Sequence, residues 1–225
     1  MAVELSTTEE NYLKHIFHIE NDEGKMANTN ALAAALGTSA ASTSDMVIRL
    51  SKKGLVSHEK YKGVVLTKEG RNIAIDLIRK HRLWEVFLVE KLGFGWEQVH
   101  SVAEQLEHIN SELLIKRLDQ FLGYPKTDPH GDPIPTIEGE LPNESQLSLL
   151  DLEERKKAFI SNVKQDEEEF LRYCSHLGLV LGAKVEVTEK FPFDGSMKLL
   201  VNTISHHVPH KVCKEIYVNL SDEEL

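Results

Sequence analysis

The sequence predicts a mainly α-helical chain with a small β portion, on three observations. Apolar residues recur at helical spacing in several stretches before residue 122, and Gly37, Gly54, Gly93, Gly95 and Gly123 punctuate them. Two short alternating runs flank Lys60–Gly63. Beyond Val180 only short alternating runs separated by turn signals remain.

Taken in order, Tyr12 to Glu20 carries Tyr12, Leu13, Ile16, Phe17 and Ile19 on an amphipathic helix whose first turn holds Glu9 and Glu10. Asn28 to Gly37 reads as a second helix with a polar start and a glycine stop. Ser39 or Ala40 to Lys53 reads as a third, with Met46, Val47 and Leu50 as its buried stripe and Ser42, Thr43, Asp45 and Arg49 nearer the outside. Leu55 to Leu66 then forms a β-hairpin around the Lys60–Gly63 tip. Three helices followed by a hairpin is the winged helix-turn-helix plan, placed here at residues 1–73. In that plan the third helix enters the major groove and the wing lies along the phosphates. Ser39, Ala41, Ser42, Thr43 and Asp45 are therefore candidates for contacts at or near base edges, and Lys60, Tyr61 and Lys62 for the backbone. The plainer reading, a winged helix used only for protein contacts, leaves the basic wing unexplained.

Glu69 to Leu92 predicts one long helix and Trp96 to Leu122 a second, together within a helical segment at 74–142. The stretch 125–135 holds four prolines in eleven residues, which excludes both helix and central strand. Residues 136–155 read as a linker with a weak strand, Lys156 to His176 as a further helix, and Val180 to Leu220 as short strands. The organisation expected is a linker with a helix at 143–175 and a β domain at 176–225.

Charge agrees with the division. The chain has a net charge of −10, which by itself argues against a nucleic-acid partner. Residues 27–71, however, hold seven Lys/Arg against three acids, while residues 76–225 hold 17 basic and 27 acidic residues. The basic patch is thus local to the winged helix. Cys174 and Cys213 form no C-x-x-C pair and no disulfide framework, which suits a reducing compartment. With neither a signal peptide nor a membrane span expected, the cytoplasm is the predicted location and no membrane partner is expected.

The chemistry gathers in the middle segment. His100, Glu104, Glu107 and His108 fall at i, i+4, i+7 and i+8, and His81 and Glu85 at i, i+4. Folding the two helices back at Gly93–Gly95 would set His81 level with His108 and Glu85 level with Glu104. Imidazoles and carboxylates converging there are costly to bury unless a divalent cation compensates them. Carboxylate with imidazole and no thiolate suits Mn, Fe, Co, Ni or Zn. Either helix alone would read as a wet acidic face; the match of spacing across both favours metal.

At this point the chain resembles the diphtheria-toxin-repressor family of iron- and manganese-responsive transcriptional regulators. The resemblance rests on TTEENYLKHIF (7–17), RLSKKGLV (49–56), LTKEGRNIA (66–74), RKHRLWEVFL (79–88), VHSVAEQLEH (99–108) and PKTDPHGDPIP (125–135), in order. LGLVLGAKVEV and the closing KEIYVNL resemble the family's FeoA-like β-barrel. What it implies is a regulator that binds double-stranded palindromic DNA as a homodimer when Mn(II) or Fe(II) is bound. Glu104, Glu107 and His108, completed by Asn11, match the family's primary metal site, and His81, Glu85 and His100 its ancillary site. Asp128, His130 and Asp166 match positions that join Glu85 in one branch. Asn11 offers a neutral oxygen where relatives have Met or Asp, and Lys14 stands where the manganese-selective branch has a carboxylate. Glu104, where the iron-selective branch has a thiol, points to a harder ion.

No nucleophile elbow, P-loop or G-x-G-x-x-G is present, so no enzyme and no small organic substrate is expected. A dimetal oxidase would draw on four helices with Glu-x-x-His on two of them, which this chain does not offer. The second reading is a winged-helix regulator sensing an organic ligand, its His/Glu face structural.

Overall fold

A computed structural model describes residues 4–23, 26–59, 63–142 and 146–221. Their backbone forms two compact units, one from Met1–His81, Gln105–Ser111 and Pro135–Leu141, the other from Arg82–Glu104, Glu112–Ile134 and Pro142–Leu225.

The first unit holds α1 (Thr7–Glu23), α2 (Thr29–Ala35), α3 (Ala40–Lys52), β1 (Val56–Glu59), β2 (Gly63–Leu66) and the start of α4 (Lys68–Leu92). Local chemistry sets each boundary. The Asn28 side chain accepts from the Ala31 amide to cap α2, and Ser39 Oγ accepts from Ser42 N to cap α3. Thr67 Oγ1 caps α4 by accepting from Gly70 N at 3.1 Å, and donates to the carbonyl of Gly54 at 2.8 Å. Gly70 is needed where it stands, because a Cβ there would lie 2.0 Å from the Leu55 carbonyl oxygen. β1 and β2 pair antiparallel from Val56↔Leu66 to Glu59↔Gly63. The wing residues Lys60, Tyr61 and Lys62 lie outside the described residues. The core unites Leu13, Ile16, Leu32, Val47, Leu50, Leu55, Val64 and Ile78.

Within the second unit, α4 continues from Arg82 and is followed by α5 (His100–Leu106) and α6 (Glu112–Phe121). The single long helix expected over Trp96–Leu122 is therefore two. Glu107 and His108 leave the helix in a turn closed by Ile109 N to Leu106 O, at 3.1 Å. Asn110 and Ser111, poor helix-interior residues, precede the start of α6.

The C-terminal part is a six-stranded antiparallel sheet in the order β3 (Leu147–Ser148), β8 (Ile216–Leu220), β4 (Lys157–Val163), β5 (Lys184–Lys190), β6 (Met197–Val201), β7 (Ile204–Val208). β3 and β7 are its edges, so the barrel expected here is open. The helix expected over Lys156–His176 is a second correction: Lys157–Val163 is a central strand, and only α7 (Glu168–Leu177) is helical. Ala158 and Ile160 point into the core while Lys157 and Phe159 face out, the period of a strand, and a bulge after Ile160 brings Val163 inward as well. α7 ends at Gly178 in the left-handed conformation, and the short α8 (His210–Cys213) precedes β8. Leu171, Cys174, Leu179, Val185, Leu199 and Val218 fill the core, and burial pushes both cysteine thiols up to about 12.

Candidate metal centre

The second unit assembles its cluster from α4 and the proline-rich loop. α4 carries Glu85, and the 125–135 loop, which holds no helix and one isolated bridge, Thr127↔Pro133, carries Asp128 and His130. The loop folds on itself through Asp128 Oδ1, which accepts from His130 N at 2.8 Å and from Asp132 N at 3.0 Å. It also docks on β4: Val163 N donates to His130 O at 2.8 Å, and Asn162 Nδ2 to Asp132 Oδ1 at 2.8 Å. Gly131, at φ +93°, is pressed so closely there that a Cβ would meet the Ser161 carbonyl oxygen at 2.1 Å.

Glu85, Asp128 and His130 are all buried, and each offers a ligand atom within 4.8 Å of the other two. The Trp96 carbonyl can only accept, so His130 Nε2 carries the proton of their 2.9 Å hydrogen bond. Nδ1 is thereby turned toward Glu85 Oε2, at 3.7 Å. The Trp96 ring stacks on the imidazole at 5.6 Å. Burial, then the charges of Asp132 and Glu85, raise the Asp128 carboxyl to about 7 against the opposing pull of Arg82, 3.6 Å away. Burial alone would lower His130, but the Glu85 carboxylate and Asp128 lift it to about 9. Two buried carboxylates held against an imidazole make a set of hard oxygen and borderline nitrogen donors that fits a divalent transition metal.

Glu85 faces a second imidazole through its other oxygen. His100 Nδ1 lies 3.7 Å from Glu85 Oε1 and 3.2 Å from Asp166 Oδ2, while His100 Nε2 lies 3.7 Å from Glu104 Oε1. Asp166 and Glu104 are half exposed, so His100 stands between the buried cluster and solvent. Of the set His81, Glu85 and His100, the second unit brings Glu85 and His100 together, and α4 carries His81 one turn before Glu85.

The expected primary set is arranged differently. In the first unit Glu107 is fully buried, and its carboxylate accepts from Lys14 Nζ at 2.9 Å and 2.7 Å and meets His81 Nδ1 at 2.5 Å. Burial alone would raise the Glu107 carboxyl, but His81 and Lys14 hold it below its ordinary range. His108 Nδ1 lies 2.5 Å from Glu10 Oε2, so Glu10, not Asn11, is the α1 residue that meets it. Among the described residues, the groups of three that converge on a common point include neither Glu104, Glu107 nor His108. The helix break explains this, since Glu107 and His108 no longer continue the face that begins at His100. Sequence reasoning also passed over Glu10, Arg82 and the Trp96 carbonyl; of these only Glu10, one helical turn before Lys14, had a readable spacing.

On α3 the structure leaves Ser39, Ala41, Ser42 and Asp45 exposed. Thr43 is a correction: it is 0% exposed, and its Oγ1 lies 3.1 Å from the Tyr12 hydroxyl. It locks α3 to α1 and is not available to a base edge.

Models of known families match in three consecutive blocks: the iron dependent repressor N-terminal DNA binding domain over residues 4–64, the iron dependent repressor metal binding and dimerisation domain over 67–136, and the FeoA domain over 147–220. A solved manganese-dependent transcriptional repressor in complex with manganese is 31% identical, with a TM-score of 0.84 covering 95% of this chain and 100% of that one. The chain belongs to the iron-dependent repressor family. That family is one of transcriptional repressors, which is not an enzyme class. The iron-dependent repressor IdeR of Mycobacterium bovis is 39% identical over 134 residues, a match spanning 60% of this chain and 58% of that protein. IdeR of Mycobacterium leprae is 29% identical over 96% of this chain and 98% of its own length. The structure of ScaR with bound Zn²⁺ is 32% identical, with a TM-score of 0.79 over 95% of this chain and 99% of that one. None of the described helices is long and apolar enough to cross a membrane.

Proposed function

We propose that this chain is a metal-responsive repressor that binds a palindromic DNA operator as a homodimer when Mn²⁺ or Fe²⁺ is bound, and so controls metal uptake or homeostasis. The observation that carries the reading is the convergence of Glu85, Asp128 and His130 within 4.8 Å at a buried point. These three would hold the ion, with His100 and Asp166 at its open side and His81 one turn away on α4. A bound divalent cation would supply positive charge against two buried carboxylates. The chain's own residues do the rest. Trp96 fixes the His130 tautomer, Glu85 directs one oxygen to each imidazole, and Arg82 steadies the Asp128 side of the loop.

The residues of α3 that would read base edges are Ser39, Ala41, Ser42 and Asp45, with Lys60, Tyr61 and Lys62 of the wing against phosphates. Dimerisation is supported by an apolar groove of about 670 Å³ lined by Trp84, Phe87, Leu114, Leu118 and Phe121, beside the exposed Leu113. We divide the chain into a DNA-binding domain at 1–73, a dimerisation and metal-binding domain at 74–142, a linker at 143–175 and a β domain at 176–225, with the linker lending β3 and β4 to the sheet of the last.

The test is fluorescence anisotropy of a labelled fragment from the gene's own upstream region, at fixed ionic strength and without oxygen, first with chelator and then with Mn²⁺ or Fe²⁺. Binding should appear with metal and be lost in His130→Ala. Equal affinity with and without metal would refute the reading and favour an organic effector.

A further inference from the structure

Glu107 is fully buried in the first unit, and a buried carboxylate needs a cation. The cation here is part of the chain. Lys14, projecting from the second turn of α1, brings its ammonium to both Glu107 oxygens, and its side chain is only 7% exposed. His81 stands beside the pair, 3.4 Å from the same ammonium, and His108 Nε2 lies 3.8 Å from Glu107 Oε1. The neighbouring imidazole of His108 is held by Glu10, which sits one helical turn before Lys14 on the same helix. Residues 10 and 14 of α1 thus take both members of the 107–108 turn. Within the first unit, Glu107 and His108 are engaged by α1 residues other than Asn11.

We propose that the Lys14 ammonium is a built-in cation that fills the Glu107 position and ties α1 to the 107–108 turn without metal. The inference rests on the metal-responsive reading above and sharpens it. In such a regulator, positioning of the N-terminal helix at this point no longer depends on an ion, and metal acts through the Glu85 cluster alone. Lys14 is a positioning residue whose fixed charge stands where a second divalent ion would otherwise be needed.

The consequence can be counted. Removing the ammonium leaves a buried carboxylate beside His81 and His108, with Glu10 next to them, which is a set of metal-binding donors. Equilibrium dialysis of the full chain against Mn²⁺, read by elemental analysis, should show one more Mn²⁺ per chain in Lys14→Met than in the wild type. Adding Glu107→Leu to that variant should return the count to the wild-type value, and the double variant replaces the buried pair by apolar side chains, a change that folds tolerate. An unchanged count in Lys14→Met would overturn the inference. So would a double variant binding one ion fewer than the wild type, because Glu107 would then be a ligand already. The metal-responsive reading fails separately, by a wild-type count of zero, and the gain in Lys14→Met still decides the role of the lysine.

Discussion

Replacing Asp128 by Asn should move stability in opposite directions with and without metal. Asparagine keeps the Oδ1 that accepts from the His130 and Asp132 amides, so the loop should retain its fold, and Arg82 still has Asp132 at 3.5 Å. What is lost is one buried negative charge. A carboxyl lifted from 3.8 to about 7 costs on the order of 4 kcal/mol to ionise inside the fold. In chelator above pH 7 the variant should therefore be the more stable protein, by up to that amount. The sign follows from a raised acid: the wild type loses stability as pH climbs from its ordinary value toward about 7, and the Asn variant does not. With Mn²⁺ the order reverses. At a free ion concentration of one hundred times Kd, ligation stabilises the wild type by about 2.7 kcal/mol, or about 5–10 °C in Tm for a chain of this size. Loss of a direct charged ligand should weaken the ion at least about 100-fold, which removes nearly all of that shift. Calorimetric melting in chelator and in Mn²⁺ reads both effects. A variant that is less stable in chelator and keeps the full Mn²⁺ shift would refute the reasoning.

Three further outcomes are expected. Gly131→Ala, whose Cβ would collide with the Ser161 carbonyl, should displace the loop and lower Mn²⁺ affinity at least about tenfold, seen by titration calorimetry, while metal-independent melting of the winged helix stays within error. Thr43→Val should cost about 1 kcal/mol in urea unfolding through the Tyr12 hydroxyl, and should change base preference less than Ser42→Ala does in a panel of operator variants. The Glu9 carboxyl is held below its ordinary 4.5, with burial opposing and Lys53 and Ser6 prevailing, so its stabilisation is complete above that value and is lost as pH falls through the lower one. Glu9→Gln should flatten the acid limb of a urea-midpoint profile taken from neutral to acid pH, and an unaltered limb would assign that limb to other groups.

How much of this was legible in the sequence depends on the range over which each feature is decided. The caps at Asn28, Ser39 and Gly37, the hairpin, and α4 from its start to Gly93 are local decisions, and they were read with the right boundaries to within a few residues. Thr43 was legible and misjudged: 43, 46, 47 and 50 form one helical stripe, and the hydroxyl hid a core position. The strand Lys157–Val163 has the alternation of its type, but the polar run that follows joins it smoothly to α7, and its place is set by β5 and β8 far along the chain. The break after Leu106 left no Gly or Pro to announce it. Its effect was large, because it took Glu107 and His108 off a face whose spacing had placed them beside Glu104. Glu85 is marked by its spacing from His81, whereas Asp128 and His130 are marked by the family resemblance alone. Their convergence needed the loop's path over β4, which no spacing rule supplies.

That path couples distant parts of the chain. His130 hangs from the amide of Val163 and Asp132 from the side chain of Asn162, both in a strand flanked by β8 and β5. The C-terminal sheet is thus the jig against which the loop carrying the proposed ligands Asp128 and His130 is aligned, although it contributes neither of them. A substitution that shifts β4 by a fraction of an ångström would retune the metal concentration at which the molecule responds and leave its choice of DNA sequence alone. On the proposed reading, threshold and address would be set by different ends of the polypeptide and could change independently.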